Sequence, residues 1–228
     1  MIDIHTHILP GVDDGSSSPE QSHQMLCLAK QQGVALVFAT PHFSAVKEDP
    51  TSFLQRRQAA RDALCLSEAT MPQLRLGAEV AYFGGINHCQ ELTALRLEGT
   101  KLLLLEMPFS PWTDRIVEEV CSIRQQLDLI PVLAHVERYS RKSQMDRYRK
   151  HLIRETLFQC NAEYFLRFSS RGKALQQLKN GQIHLIGSDA HNLSHRISRM
   201  DEAAAVIRKK LGDSALAQLN EPVLLYKE

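Results

Sequence analysis

Residues 2–8 read IDIHTHI, a run in which Ile2, Ile4, Thr6 and Ile8 alternate with Asp3, His5 and His7. A period of two marks a strand whose two faces differ chemically. The spacing predicts that Ile2, Ile4 and Ile8 pack beneath helices while Asp3, His5 and His7 look into a barrel. Working outward, short aliphatic runs recur at 35–40, 74–81, 101–107, 130–136, 157–161 (the weakest) and 183–189. Helix signals fill the intervals. Ser18, Pro19 and Gln21 read as cap, first-turn proline and capping-box partner, with Gly33 as a stop and Asp49-Pro50 as a second start. Residues 112–128, 144–156, 171–180 and 199–211 space their apolar positions by three and four. Seven strands alternating with helices imply an α/β fold, a parallel sheet covered by helices. No linker, internal repeat or low-complexity tract divides residues 1–228, so a single domain is expected.

Composition narrows the function. A chain of 228 residues, 43% hydrophobic and 23% charged, has enough apolar material for a sizeable core. A formal net charge of +1 gives no general reason to expect a nucleic-acid or membrane partner. The start lacks the cationic and apolar regions of a secretory leader, and LLLL at 102–105 is far short of the ~20 residues that span a bilayer. Cys27, Cys65, Cys89, Cys121 and Cys160 are odd in number and never form CxxC, which suggests reduced thiols in a cytoplasmic protein. None has an arginine six positions downstream, which excludes a Cys-x5-Arg phosphatase loop.

Chemistry gathers where the apolar runs stop. TPH places His42 just past the second strand, and GAEV places Glu79 near the end of the third. Four leucines lead directly into Glu106, a carboxylate that is costly to bury unless paired or metal-bound. LAHVERY ends the fifth strand on His135, and GSDAH ends the seventh on Asp189 and His191. Parallel α/β barrels collect their active sites at these carboxyl ends. With His5, His7 and Asp14 of the first loop, the candidates are five histidines and four carboxylates. Imidazoles and carboxylates without thiolates suit zinc, manganese or iron. Nine ligands exceed the needs of one ion and fit two or three joined by bridging carboxylates, as in a multinuclear metal hydrolase.

The opening HxH, the lone His42, the central Glu106 and His135 and the closing DAH resemble the PHP (polymerase and histidinol phosphatase) superfamily of metal-dependent phosphoesterases. More narrowly, MIDIHTHILPGVDDGS, TPH, GAE, LLEMP, AHVERY and SDAHN resemble its bacterial capsule and exopolysaccharide tyrosine phosphatases, from Met1 to about residue 196. The resemblance implies a distorted seven-stranded (β/α)7 barrel with a trinuclear, often manganese-dependent site. By motif position, His5, His7, Glu106 and Asp189 would hold one ion. Glu106 would bridge to a second ion shared with Glu79 and His135. Asp14, His42 and His191 would hold a third, with Asp13 the less favoured member of the doublet. Arg138 matches a phosphate-binding arginine and Arg196 is similar to a second. Residues 163–173, EYFLRFSSRGK, depart from the small residues usual in the family and leave the shape of the substrate pocket open.

The implied activity is hydrolysis of phosphotyrosine on the tail of a tyrosine kinase of polysaccharide export, in the cytoplasm. A hydroxide bridging the ions would attack phosphorus in line while Arg138 holds equatorial oxygens. The competing readings are a small-molecule phosphatase such as one for histidinol phosphate, a nuclease of the same superfamily, or a non-catalytic regulator that binds the kinase tail. The stretch 138–155, with seven Lys or Arg against two acids, is either a solvated helix face or a landing strip for an acidic tail. Phe109 and Trp112 either wall the site against an aromatic leaving group or belong to core and rim packing. His23 and His151 fall in helices and match no motif, and His88, His184 and His195 are unassigned.

Overall fold

Proline and glycine divide two of the barrel's seven staves. In the computed structural model, which describes residues 1–64, 71–139 and 144–227, β2 (Leu36–Ala39) resumes as β3 (His42–Phe43) beyond Pro41. Proline has no N–H for a ladder. β4 (Gln73–Leu76) likewise resumes as β5 (Glu79–Ala81) beyond Gly77. With β1 (Ile2–Thr6), β6 (Leu102–Glu106), β7 (Ile130–Leu133), β8 (Leu157–Asn161) and β9 (Leu185–Gly187), these make parallel sheets ordered β1-β2-β4 and β3-β5-β6-β7-β8-β9. The curl closes where the Asp189 N–H donates to His5 O (2.8 Å) and the His7 N–H to Ala190 O (2.9 Å). The expected distorted seven-stave α/β barrel is therefore what the chain builds. Cys65 and positions 140–143 of the basic stretch lie outside the described residues.

The helices start where their caps predict. α1 (Pro19–Gln31) has Ser18 Oγ accepting from the Gln21 N–H, while Gln21 Oε1 reaches back to the Ser17 N–H, one residue before the expected partner. α2 (Pro50–Asp62) is capped by Asp49 and α3 (Asp114–Leu127) by Thr113. α4 (Gln144–Glu155), α5 (Phe168–Lys179) and α6 (Met200–Leu211) follow. α5 starts three residues before its expected position. Two short helices that sequence periodicity did not reveal, α7 (Asp213–Gln218) and α8 (Glu221–Leu225), end the chain. They cover the barrel's amino end, where Asn220 Oδ1 accepts the Ile2 N–H (3.0 Å). Among the described residues, no helix is long and apolar enough to cross a membrane.

Two apolar layers result. Met25, Leu26, Val117 and Val120 of the helices pack on the outward Val37, Leu103, Leu105 and Leu133. Ile4, Phe38, Leu102, Leu104, Val132 and Leu185 fill the lumen, with Val223 of α8 beneath. Leu102, Leu104 and Glu106 share one strand face, so the apolar plug ends where Glu106 emerges.

β1 departs from simple alternation. Asp3 lies level with Val37 but Thr6 with Ala39, so a bulge sets two residues, Ile4 and His5, against one, Phe38. Ile4 joins the luminal plug, with Ile2 packed on it, instead of lying under helices. Asp3 turns outward beside Met25 and Ala29 of α1, so it does not share the histidines' face. Its Oδ1 accepts the Ser188 N–H (2.8 Å) and the His5 N–H (3.3 Å), tying β1 to the end of β9. Burial raises its pKa to about 6. Ile8 packs in the outer layer as expected.

Candidate metal centre

The bulge that turns Ile4 inward leaves His5 and His7 at the top of the plug, where the carboxyl ends of the other staves converge. Gly187 lies against His5 so closely that a Cβ there would sit 2.5 Å from the His5 Cβ. His135 and Asp189 follow β7 and β9 with φ of 34° and 54°, a left-handed backbone uncommon outside glycine. Such local strain persists only where the surroundings enforce it, often at functional sites.

Hydrogen bonds fix how the imidazoles face the bowl. His7 Nδ1 lies 2.6 Å from Asp13 Oδ2, which also accepts the His42 N–H (3.0 Å). His5 Nδ1 lies 3.3 Å from Gln159 Oε1, an oxygen that also accepts the His135 N–H (2.7 Å). Gln159 Nε2 then donates to Asn161 Oδ1 (3.0 Å), and Asn161 Nδ2 donates to Asp189 Oδ2 (2.9 Å). With one ring nitrogen of each of His5 and His7 engaged this way, Nε2 is left to face inward.

Glu79 occupies the centre. Its Oε2 lies 2.9 Å from His42 Nδ1, 3.2 Å from His5 Nε2 and 3.4 Å from His7 Nε2, and its Oε1 lies 2.8 Å from His135 Nε2. Glu106 Oε1 is 3.2 Å from His135 Nε2. His42 and His191 each approach Asp14, at 3.5 and 3.4 Å. Three groups have ligand atoms within 4.8 Å of one another: His5, His7 and Asp189; His7, Asp14, His42 and His191; and His42, Glu79 and Glu106. All nine expected ligands thus meet in one bowl. Glu106 groups with Glu79 and His42 and touches His135, rather than falling in the group of His5, His7 and Asp189.

The donor set fits divalent ions. His5 Nε2 and His7 Nε2 face each other at 3.1 Å, two imidazole nitrogens that need a proton or a cation between them. The buried His191 Nε2 makes no hydrogen bond. Imidazoles and carboxylates without thiolates are the ligands of zinc, manganese and iron sites.

The charges in the bowl pull its groups in both directions. Burial works against a charged His7, but Asp13 and Glu79 outweigh it and bring its pKa up to about 10. Burial likewise opposes Glu106 and Glu79 at His135, whose pKa rises to about 9. His191 goes the other way, to about 4, through burial and the positive charges of His7 and Arg196. Burial resists ionisation of Asp189, yet His5, Arg138 and His7 hold it well below the usual carboxylate range. Both expected arginines reach this carboxylate: Arg196 binds Oδ1 at 2.7 Å and Arg138 binds Oδ2.

Other readings resolve in the structure. Phe109, about half exposed, lies parallel to His135 with ring centres 6.3 Å apart, at the rim of the bowl. Trp112 is core, edge-on to Tyr139 with its indole N–H on Pro108 O. His184 Nδ1 accepts the Phe158 N–H, His23 Nε2 lies 2.6 Å from Leu64 O and His88 lies beside Asn87, all outside the ligand groups. Gln159 and Asn161 were not anticipated. Two polar residues alternating on the weakest strand, LFQCN, were the signal that could have found them.

This arrangement has close relatives. YwqE of Bacillus subtilis, named a tyrosine-protein phosphatase, is 30% identical over 97% of this chain and 89% of its own. CpsB of Streptococcus pneumoniae, named likewise, is 29% identical over 96% and 94%. A crystal structure from work on YwqE and CpsB, described as "unique metal-dependent tyrosine phosphatases", covers 99% of this chain and 94% of its own with a TM-score of 0.84 and 26% identity. The family model for capsular polysaccharide synthesis, CpsB/CapC, matches residues 1–222. The chain belongs to the CpsB/CapC family.

Proposed function

We propose that this chain is a manganese-dependent protein-tyrosine phosphatase, acting in the cytoplasm on the phosphorylated tail of a polysaccharide-export tyrosine kinase. The observation that carries this reading is the pairing of Arg138 and Arg196 with Asp189 at the edge of a bowl where nine candidate imidazole and carboxylate ligands meet. The named activity of YwqE and CpsB supports the substrate class.

His5, His7 and Asp189 would hold one ion, with Asp14, His42 and His191 around another and Glu79, Glu106 and His135 between. Divalent ions there would lower the pKa of water toward 7 and neutralise a phosphate dianion. The chain's own residues supply position and charge. Asp13 and Gln159 orient His7 and His5. Arg138 and Arg196, each more than a third exposed, present planar forks of donors that match phosphate oxygens. Phe109 offers its ring at the rim, beside the place an aromatic leaving group would occupy. A tyrosine leaving group, with a pKa near 10, needs less protonation than an alkyl alcohol.

The test is p-nitrophenyl phosphate hydrolysis by chelator-treated protein, with manganese, iron or zinc restored in turn and histidinol phosphate run in parallel. Restoration of aryl phosphate turnover, best with manganese, is expected. Turnover of histidinol phosphate alone would overturn the reading.

A further inference from the structure

The atypical segment 163–173 does not fill the pocket; it builds one. Its Glu163, Tyr164, Arg167, Ser169, Ser170 and Lys173 line a cavity of about 550 Å³. Arg138 and Asn161, both bound to Asp189, form the wall shared with the metal centre. A phosphate held by Arg138 and Arg196 would therefore lie at the cavity's mouth. We propose that the cavity is a second anion subsite, in which Arg167 and Lys173 receive an acidic side chain of a peptide substrate beside its phosphotyrosine. The proposal rests on the phosphotyrosine reading above and adds the chemistry of the flanking residues.

Size and charge carry it. A cavity of this volume is roughly 10 Å across, room for about three residues of extended chain at ~3.3 Å each. A phosphate and one ring would leave most of it open. Arg138, Arg167 and Lys173 face two carboxylates, Glu137 and Glu163. The adjoining cleft adds Arg196, Arg199 and His195 against Asp189. Among the described residues, the joined groove is lined by five Arg or Lys and three carboxylates, with Arg199 also held by Glu202 at 2.6 Å, in a chain whose net charge is only +1. Arg167 is held by Glu163 at 2.9 Å, but both side chains are more than half exposed. An exposed pair of this kind contributes little and exchanges readily for an incoming anion. Glu137 sits in the same wall, its oxygens 3.4 Å from the Asn161 N–H.

The experiment uses the full chain loaded with manganese and two phosphotyrosine peptides of equal length. One has Asp and Glu beside the tyrosine, the other Asn and Gln. The wild type is expected to favour the acidic peptide about 10-fold in kcat/KM, mainly through KM, and to lose that preference in 0.5 M salt. Arg167→Ala/Lys173→Ala should reduce the preference to within about 2-fold, and Arg167→Lys/Lys173→Arg should keep it. A wild type indifferent to the flanking charge overturns the proposal. So does a double-alanine variant that loses both peptides and p-nitrophenyl phosphate to the same degree. Fluorescence anisotropy of the same peptides separates the two readings. Tighter binding of the acidic peptide without turnover supports the subsite and counts against the phosphatase, while equal affinity rejects the subsite.

Discussion

Asp13 Oδ2 lies 2.6 Å from His7 Nδ1, and this bond divides the labour of the Asp13-Asp14 doublet. Asp13 is largely buried, accepts the Gly15 and His42 N–H groups and turns His7 Nε2 inward. Asp14, 66% exposed, approaches His42 and His191 from the open side. One aspartate positions an imidazole; the other stands among the candidate ligands.

Removing Asp13 should therefore weaken metal binding without removing a ligand. Asp13→Ala is expected to lower manganese affinity roughly 10–100-fold, the usual cost of losing the partner that orients a ligating histidine. Asp13→Asn, which keeps an acceptor but not the charge, should fall between. Titration calorimetry checks both, and unchanged affinity in Asp13→Ala would reject the positioning role.

Metal loading should release protons. His7 and His135, with pKa values raised to about 10 and about 9, are charged at pH 7 before a metal arrives, whereas a ligating imidazole must be neutral. Apparent manganese affinity should rise between pH 6 and 8. Binding heats measured in buffers of different ionisation enthalpy should differ in proportion to the protons released. Identical heats would mean that these imidazoles are already neutral.

Gly187→Ala should injure the centre from beneath. The new Cβ would lie 2.5 Å from the His5 Cβ and 3.1 Å from its backbone nitrogen. Neither neighbour is a flexible tip, so β1 must shift, at about 1–3 kcal/mol of stability. Turnover should drop more than 10-fold in protein that still unfolds cooperatively, a combination read by thermal unfolding and phosphate release.

His184 gives a pH effect remote from the bowl. Burial depresses its pKa, and its Nδ1 accepts the Phe158 N–H. The unfolded chain, near the usual 6.5, then binds the proton more readily than the folded one. The contribution to stability is complete above that value and is lost as pH falls from the mid-sixes toward the folded pKa. His184→Asn, which retains an acceptor near Nδ1, should flatten this loss. Urea unfolding of both proteins in chelator at pH 7.5 and 5.5 makes the comparison, and parallel slopes would exclude His184 as a source.

The strand ends that bear the candidate ligands were legible because each interrupts an apolar run, as Glu106 does after LLLL. Their convergence follows from any closed parallel barrel. The β1 bulge was not legible, since IDIHTHI alternates perfectly and only pairing with β2 shows the extra residue. That hid the outward turn of Asp3 and the luminal place of Ile4. Pro41 and Gly77 were visible, but the staves continue in register across them, which local propensity does not encode. Gln159 and Asn161 escaped notice because neutral amides carry no metal or acid-base signature, and their work is to join His5, His135 and Asp189. α7 and α8 are too short for periodicity to mark.

The most direct measurement is phosphate release from a tyrosine-phosphorylated kinase-tail peptide by chelator-treated protein with and without manganese, beside His5→Ala/His7→Ala. Manganese-dependent release that the double variant loses, while keeping its fold by circular dichroism, is the expected result. Release that survives without metal, or in the variant at the wild-type rate, would contradict a centre built on His5 and His7.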